Sequence, residues 1–100
     1  MPDDTQADIH FLYDLEKLLK SRKTELPKGS YSTKLFEDGI DQIAQKVGEE
    51  AVELLIASKN DDEDETVYES ADLLFHLLVL LVEKEISLDQ VIGELKNRRK

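Results

Sequence analysis

Two short acidic patterns hold the side chains of this 100-residue sequence best suited to chemistry. The first lies in Lys46-Val47-Gly48-Glu49-Glu50-Ala51-Val52-Glu53. A helix turns about 100° per residue, so Glu49, Glu50 and Glu53 fall within one sector about 100° wide, and Lys46 projects into that sector too. The second is Glu69-Ser70-Ala71-Asp72, whose i, i+3 spacing stacks two further carboxylates on one helix face. Hard oxygen ligands grouped in this way suit Mg²⁺. If the two helices converge, Glu50, Glu53, Glu69 and Asp72 make a magnesium site.

The plain alternative is a pair of solvated acidic faces, the usual state of such runs on an acidic chain. The neighbouring residues argue against it. Val52 and Ile56 flank Glu53, and Leu73, His76 and Leu80 continue the face of Glu69 and Asp72, which implies partly buried acids. At separations of about 6 Å and an effective dielectric near 20, each pair of charges repels by roughly 3 kcal/mol. Over four carboxylates the sum reaches or exceeds the ~5–15 kcal/mol stability of a whole domain. One lysine, Lys46, does not balance four acids. A divalent cation does.

Other residues carry weaker signals. His76, four residues after Asp72 on the same face, is a candidate partner or proton shuttle, though a histidine in an apolar run is more often a hydrogen-bonded core residue. The acids at 61–65 read as a solvated run favoured by a helix N-terminus. Arg22, Lys23, Lys28 and Lys34 near a linker, and Arg98, Arg99 and Lys100 at the end, are candidate phosphate contacts. Gly29, Gly39, Gly48 and Gly93 are scattered, so there is no P-loop or GxGxxG, and no Ser-His-Asp arrangement stands out. The absence of Cys excludes disulfides, thiolate nucleophiles and Cys-ligated zinc.

The elements that must position these groups read as helices throughout. Ile9, Leu12, Leu15, Leu18 and Leu19 predict a first helix over about residues 5–22, with Asp8, Asp14, Glu16 and Lys17 on its other faces. Residues 24–32 hold both Pro27 and Gly29 and form the linker, after which Ser32 or Thr33 can cap the next helix. That helix covers 34–59, with a break or kink near Gly39. A turn and acidic helix start at 60–65 lead into a third long helix over about 63–84. Ser87 caps a last helix whose apolar face is Leu88, Val91, Ile92 and Leu95. From Leu73 to Val82 the third helix is apolar around almost its whole circumference, and such a helix must be buried on all sides. One chain of 100 residues can hardly enclose it. A second copy can, so the expectation is a homodimer buried along Leu74, Phe75, Leu78, Leu81 and Val82. The fold class expected is one all-α domain over 1–100, a four- to five-helix bundle completed by homodimerisation.

Charge bounds the partners. A net charge of −10 with no basic stripe argues against nucleic acid and against anionic membranes. It also repels free nucleotides unless cations intervene, so a nucleotide enzyme of this balance needs metal. The start, Met1-Pro2-Asp3-Asp4, lacks the basic and apolar segments of a signal peptide. The ten-residue apolar run at 73–82 falls well short of the ~20 residues that span a bilayer. The expected location is the cytoplasm.

EExxE at Glu49, Glu50 and Glu53, followed after fifteen residues by ExxD at Glu69 and Asp72, resembles the all-α nucleoside-triphosphate pyrophosphatases of the MazG-like superfamily. Gly29-Ser30-Tyr31-Ser32 with Lys34-Leu35-Phe36, then KVGEEAVE, then Tyr68-Glu69-Ser70-Ala71-Asp72-Leu73-Leu74-Phe75-His76-Leu77-Leu78, and last Glu94-Leu95 with Arg98, resemble more specifically the phosphoribosyl-ATP pyrophosphatase family of histidine biosynthesis. The resemblance covers roughly residues 11–99. Ser32 stands where Thr is more usual and keeps the hydroxyl; Ser70 stands where Ala is more usual. It implies Mg²⁺-dependent hydrolysis of phosphoribosyl-ATP to phosphoribosyl-AMP and pyrophosphate. Glu50, Glu53, Glu69 and Asp72 would then hold metal, Glu49 would be a further ligand or the base for water, and Lys46 would stabilise a phosphate oxygen or orient an acid. Tyr31, Ser32, Lys34, Arg22 and Arg98 would contact substrate. Two alternatives stand beside this reading: another nucleoside triphosphate as substrate on the same fold, and a non-catalytic helical dimerisation module with an acidic face.

Overall fold

The structure, a computed structural model, describes residues 8–99. Those residues form five helices: α1 (Phe11–Glu25), α2 (Tyr31–Asp38), α3 (Ile40–Lys59), α4 (Glu63–Glu83) and α5 (Leu88–Arg98). No strand occurs among them. The expectation of an all-helical chain holds, with five helices.

Residues 1–7, the start of the helix expected from residue 5, lie outside the described residues. α1 begins at Phe11 and runs to Glu25, three residues past the expected end, where Leu26 turns left-handed (φ 48°) and donates its N–H to the Arg22 carbonyl. The linker shrinks accordingly to residues 26–30. Ser30, not Ser32 or Thr33, caps α2: its backbone is extended and its hydroxyl accepts from the Thr33 N–H at 3.3 Å. Ser32 and Thr33 lie inside the first turn, with their side chains buried. The break expected near Gly39 is real. Gly39 adopts φ 94°, where a β-carbon would be strained, and separates α2 from α3. At the other end, Ser87 and Gln90 form a reciprocal capping box at the start of α5.

The short turn between Lys59 and Glu63 folds α3 back on α4 as an antiparallel hairpin, the most extensive packing in the molecule. α1 and α2 cover one end of it. All five helices contribute to a single core of Leu19, Leu35, Phe36, Ile43, Leu78, Val79, Val82 and Leu88. The intra-chain core therefore claims two residues assigned in advance to a dimer face. Leu78 and Val82 are 1% and 4% exposed within one chain, while Leu74 remains 41% exposed. The reason is that α1 and α2 pack on the C-terminal half of α4. They leave bare the other end of the hairpin, where Val52, Leu55 and Ile56 on α3 and Val67 and Tyr68 on α4 are all more than half exposed.

Glu16, expected on a polar face of α1, is buried and accepts a hydrogen bond from the Leu88 N–H at 2.8 Å. Its carboxylate thus meets the positive end of α5 and joins two helices 72 residues apart in sequence. Replacing Glu16 by Ala strands that amide and is expected to cost about 1–3 kcal/mol. In a domain of this size that is a fall in Tm of several degrees, checked by thermal unfolding.

Candidate metal centre

The hairpin sets Glu50 of α3 opposite Glu69 and Asp72 of α4. One carboxylate oxygen from each lies within 4.8 Å of the other two. Glu50 and Glu69 are buried and Asp72 is half-buried. Glu50 Oε2 and Glu69 Oε1 are shut away from solvent without any hydrogen-bond partner. Buried carboxylate oxygens rarely go unpaired, because an uncompensated one costs several kcal/mol. Unpaired oxygens of this kind, in an all-oxygen set, fit a hard divalent cation.

Among the described residues the one cation paired with the cluster is Lys46, whose Nζ lies 3.3 Å from Glu50 Oε1 and 3.5 Å from Glu49 Oε1. Burial works against its charge, but the hydrogen bond to Glu50 and the charges of Tyr31, Glu50 and Glu49 prevail and hold its pKa above the usual lysine value. The acids show the strain of the arrangement. Burial, followed by the charges of Glu53, Glu50, Glu65 and Asp72, pushes the Glu69 pKa up. Burial together with the hydrogen bond and charge of Glu50 does the same to Asp72. Glu49 is exposed, and the Gln45 amide, donating at 3.0 Å, lowers its pKa, with Lys46 adding to the effect.

Glu53 departs from the expected four-ligand set. It is exposed, lies outside the close group, and shares an open groove with Gln45, Gly48, Glu49 and Val52. One turn beyond Glu50 toward the open end of the hairpin, it is still near enough for its charge to raise Glu69. The flanking apolar residues that argued for its burial, Val52 and Ile56, are exposed in one chain as well.

α2 borders the cluster through an aromatic contact. The Tyr31 hydroxyl and His76 Nε2 are 2.8 Å apart, and His76 Nδ1 is 2.8 Å from the backbone carbonyl of Asp72. A carbonyl only accepts, so Nδ1 carries the proton, and in the neutral ring Nε2 accepts from the tyrosine. His76 is thus a buried, hydrogen-bonded core histidine that also ties α2 to a carboxylate-bearing turn of α4. Burial raises the Tyr31 pKa, Lys46 opposes it, and the charges of Asp72, Glu50 and Glu49 add to the rise.

The remaining candidates divide. Arg22 reaches the linker and donates from Nη1 to Ser30 Oγ at 2.6 Å, while Ser30 Oγ sits 2.9 Å from the buried Ser32 Oγ. Lys34 is largely exposed and pairs with Asp38 at 3.6 Å. Arg98 is not brought to the cluster within one chain. It lies on α5, pairs with Glu94 at 2.9 Å, and borders a groove that shares no residue with the metal centre. Sequence reasoning named Ser30 only within the Gly29–Ser32 motif and Thr33 only as a candidate cap; the signal for more was the run of four hydroxyl-bearing residues, Ser30 to Thr33, directly after Gly29.

Comparison with known proteins points to one family. The family model described as phosphoribosyl-ATP pyrophosphohydrolase matches residues 12–99. The phosphoribosyl-ATP pyrophosphatase of Leptospira biflexa is 54% identical over 90 residues, which are 90% of this chain and 98% of that protein. That of Lactiplantibacillus plantarum is 52% identical over 85 residues, 85% of this chain and 80% of its own length. The histidine biosynthesis bifunctional protein HisIE of Caldanaerobacter subterraneus is 52% identical over 98% of this chain, and the chain spans about half of its length, 48%. With the family model matching residues 12–99 and a relative 54% identical over 90% of this chain and 98% of its own length, the chain belongs to the phosphoribosyl-ATP pyrophosphohydrolase family.

Proposed function

We propose that the chain hydrolyses phosphoribosyl-ATP to phosphoribosyl-AMP and pyrophosphate with Mg²⁺ in the α3–α4 cluster. The observation that carries this is the pair of buried, unpartnered oxygens on Glu50 and Glu69, set beside Asp72 and served by one lysine. Glu50, Glu69 and Asp72 would hold the ion, with the exposed Glu53, one turn beyond Glu50, a further candidate ligand. When bound, the ion supplies charge neutralisation for the triphosphate and acidifies water. Glu49, exposed beside Lys46 with a pKa held low, stays ionised and would accept a proton from the attacking water or add a ligand. Lys46, held beside Glu49 and Glu50, would meet charge developing on a phosphate oxygen. Tyr31, Ser32, Lys34 and Arg22, around the start of α2, would contact the rest of the substrate, and no covalent nucleophile is required.

The exposed apolar residues Val52, Leu55, Ile56, Val67, Tyr68 and Leu74 support a homodimer that buries the open end of the hairpin. This face borders Glu53, so a second copy would also enclose the exposed edge of the metal centre. Among the described residues no helix is long and apolar enough to cross a membrane.

The test offers purified protein phosphoribosyl-ATP beside dUTP, dCTP and ATP, with Mg²⁺ and with chelator. Phosphoribosyl-ATP should be hydrolysed with a kcat/KM at least about 10²-fold above the others, and chelation should abolish turnover. A preference for another triphosphate would keep the fold and change the substrate. No hydrolysis and no Mg²⁺ binding would leave a dimerisation module.

A further inference from the structure

His76 has no part in the chemistry proposed above, yet it is 2% exposed, less than any of the buried carboxylates. Both of its ring nitrogens are engaged, Nδ1 with the Asp72 carbonyl and Nε2 with the Tyr31 hydroxyl. The partners fix the protons. The carbonyl has none to give, so Nδ1–H donates to it, and Nε2 of the neutral ring can only accept. The Tyr31 proton therefore points at His76. A phenol has one proton, and with it committed inward the Tyr31 oxygen meets everything else as an acceptor.

Three rings hold that direction in place. Tyr31 stacks on Phe75 with centroids 6.2 Å apart and 26° between planes, and it meets His76 edge to face at 5.7 Å and 81°. Phe75 and His76 are themselves edge to face at 5.2 Å. One side of Tyr31 stays open, since the residue is 48% exposed. Its hydroxyl lies close enough to the metal cluster to feel the charges of Lys46, Asp72, Glu50 and Glu49. Lys46 is paired with Glu50 and Glu49. An acceptor in this place has nothing to offer a phosphate oxygen, which is an acceptor too. It suits a donor.

We propose that His76 is a positioning residue for substrate recognition: by taking the Tyr31 proton it presents the phenol oxygen as an acceptor, which engages a hydrogen-bond donor of the nucleotide and turns away phosphate oxygens. The inference rests on the nucleotide reading above. Two groups of a nucleotide supply such a donor, a sugar hydroxyl and the exocyclic nitrogen of the base.

The experiment reads the histidine ring nitrogens of the full ¹⁵N-labelled chain, then titrates the chain in Mg²⁺ with AMP, with inosine monophosphate and with pyrophosphate. His76 is expected to carry its proton on Nδ1 alone, and Tyr31→Phe to shift its Nε2 resonance. AMP should bind Tyr31→Phe and His76→Leu about tenfold more weakly than the wild type, while pyrophosphate binds all three alike. Equal losses for AMP and inosine monophosphate assign the donor to a sugar hydroxyl, and a loss confined to AMP assigns it to the base. The double variant should bind AMP no more weakly than either single one, and His76→Gln, whose amide oxygen can take the tyrosine proton, should keep most of the affinity. In turnover, KM for phosphoribosyl-ATP should rise about tenfold in Tyr31→Phe and His76→Leu with a much smaller change in kcat. A histidine that only supports the fold would lower Tm without this split, and its loss would add to that of Tyr31→Phe. Should His76→Leu fail to fold, Tyr31→Phe decides, because that side chain is half exposed. A proton on Nε2, pyrophosphate weakened as much as AMP, or no AMP binding to the wild type overturns the proposal. The titrations need no turnover. A chain that hydrolyses phosphoribosyl-ATP but fails them refutes the positioning role alone, and one that passes them without hydrolysing phosphoribosyl-ATP refutes the proposed function.

Discussion

Asp72→Asn is expected to remove turnover by roughly 10³-fold or more, about 4 kcal/mol of barrier, while the metal-free protein becomes more stable. The two effects have one cause. Asp72 stands within 4.8 Å of two other carboxylates and is pushed toward its neutral form by burial and by Glu50. An amide of the same shape relieves that repulsion and deletes a ligand together. A relief of about 1 kcal/mol would raise Tm by roughly 4–8 °C in a domain this small. Mg²⁺ should stabilise the wild type and do so far less for the variant. The pH dependence follows in sign. Glu69 and Asp72 have folded pKa values above their unfolded ones, near 3.9–4.3, so the folded state holds their protons more tightly. Their stabilising contribution is complete below the unfolded values and is lost as pH rises through the raised ones. Over that window the metal-free wild type should lose more stability than Asp72→Asn. Activity and melting temperature falling together in Asp72→Asn would assign these acids a structural role instead.

The second large effect concerns the apolar end of the hairpin. The wild type should scatter light as a particle of twice the 11.4 kDa chain mass at micromolar concentration. Leu55→Glu combined with Val67→Glu should weaken association by about 10³-fold or more, since each change replaces an anchor worth ~1.5–3 kcal/mol with a charge that resists burial. Both side chains are more than 60% exposed in one chain, so the fold of the single chain tolerates the change. Leu78→Glu is not a substitute. Leu78 belongs to the internal core at 1% exposure, and a charge there unfolds the chain whether or not it dimerises. A wild type that is monomeric and folded at these concentrations would refute the dimer.

What the sequence made legible was what local chemistry decides. Gly39 needs a backbone that other residues resist, Ser87 is followed by Gln90 at the right spacing, and the acids at 63–65 sit where a helix dipole favours them. All three marks lie within one turn of the boundary they set. The cap of α2 was ambiguous because Ser30, Ser32 and Thr33 all carry hydroxyls, and only the backbone at Ser30 is extended. Glu16 was illegible as a buried residue because its partner, the Leu88 amide, belongs to a distant helix. The apolar circumference of α4 showed that it is buried but not by what. Leu78 and Val82 face α1 and α2, and that choice depends on packing directions no periodicity contains. The acidic patterns carried the site furthest, because two helices with a short turn between them can meet only antiparallel. That argument places Glu50 against Glu69 and Asp72, and leaves open which rotamer Glu53 adopts.

The same short turn bears on how the chain folds. Glu50 and Asp72 are 22 residues apart, whereas Glu16 and Leu88 are 72 apart. Contacts between residues close in sequence cost little loop-closure entropy and favour early formation, so the hairpin is the natural nucleus and α5 the natural latecomer. The three acids therefore meet while little else is in place to hold them together. Their mutual repulsion then sits on the climb to the folding barrier, and a cation held there, as proposed, would set how fast the protein folds as well as how stable it is.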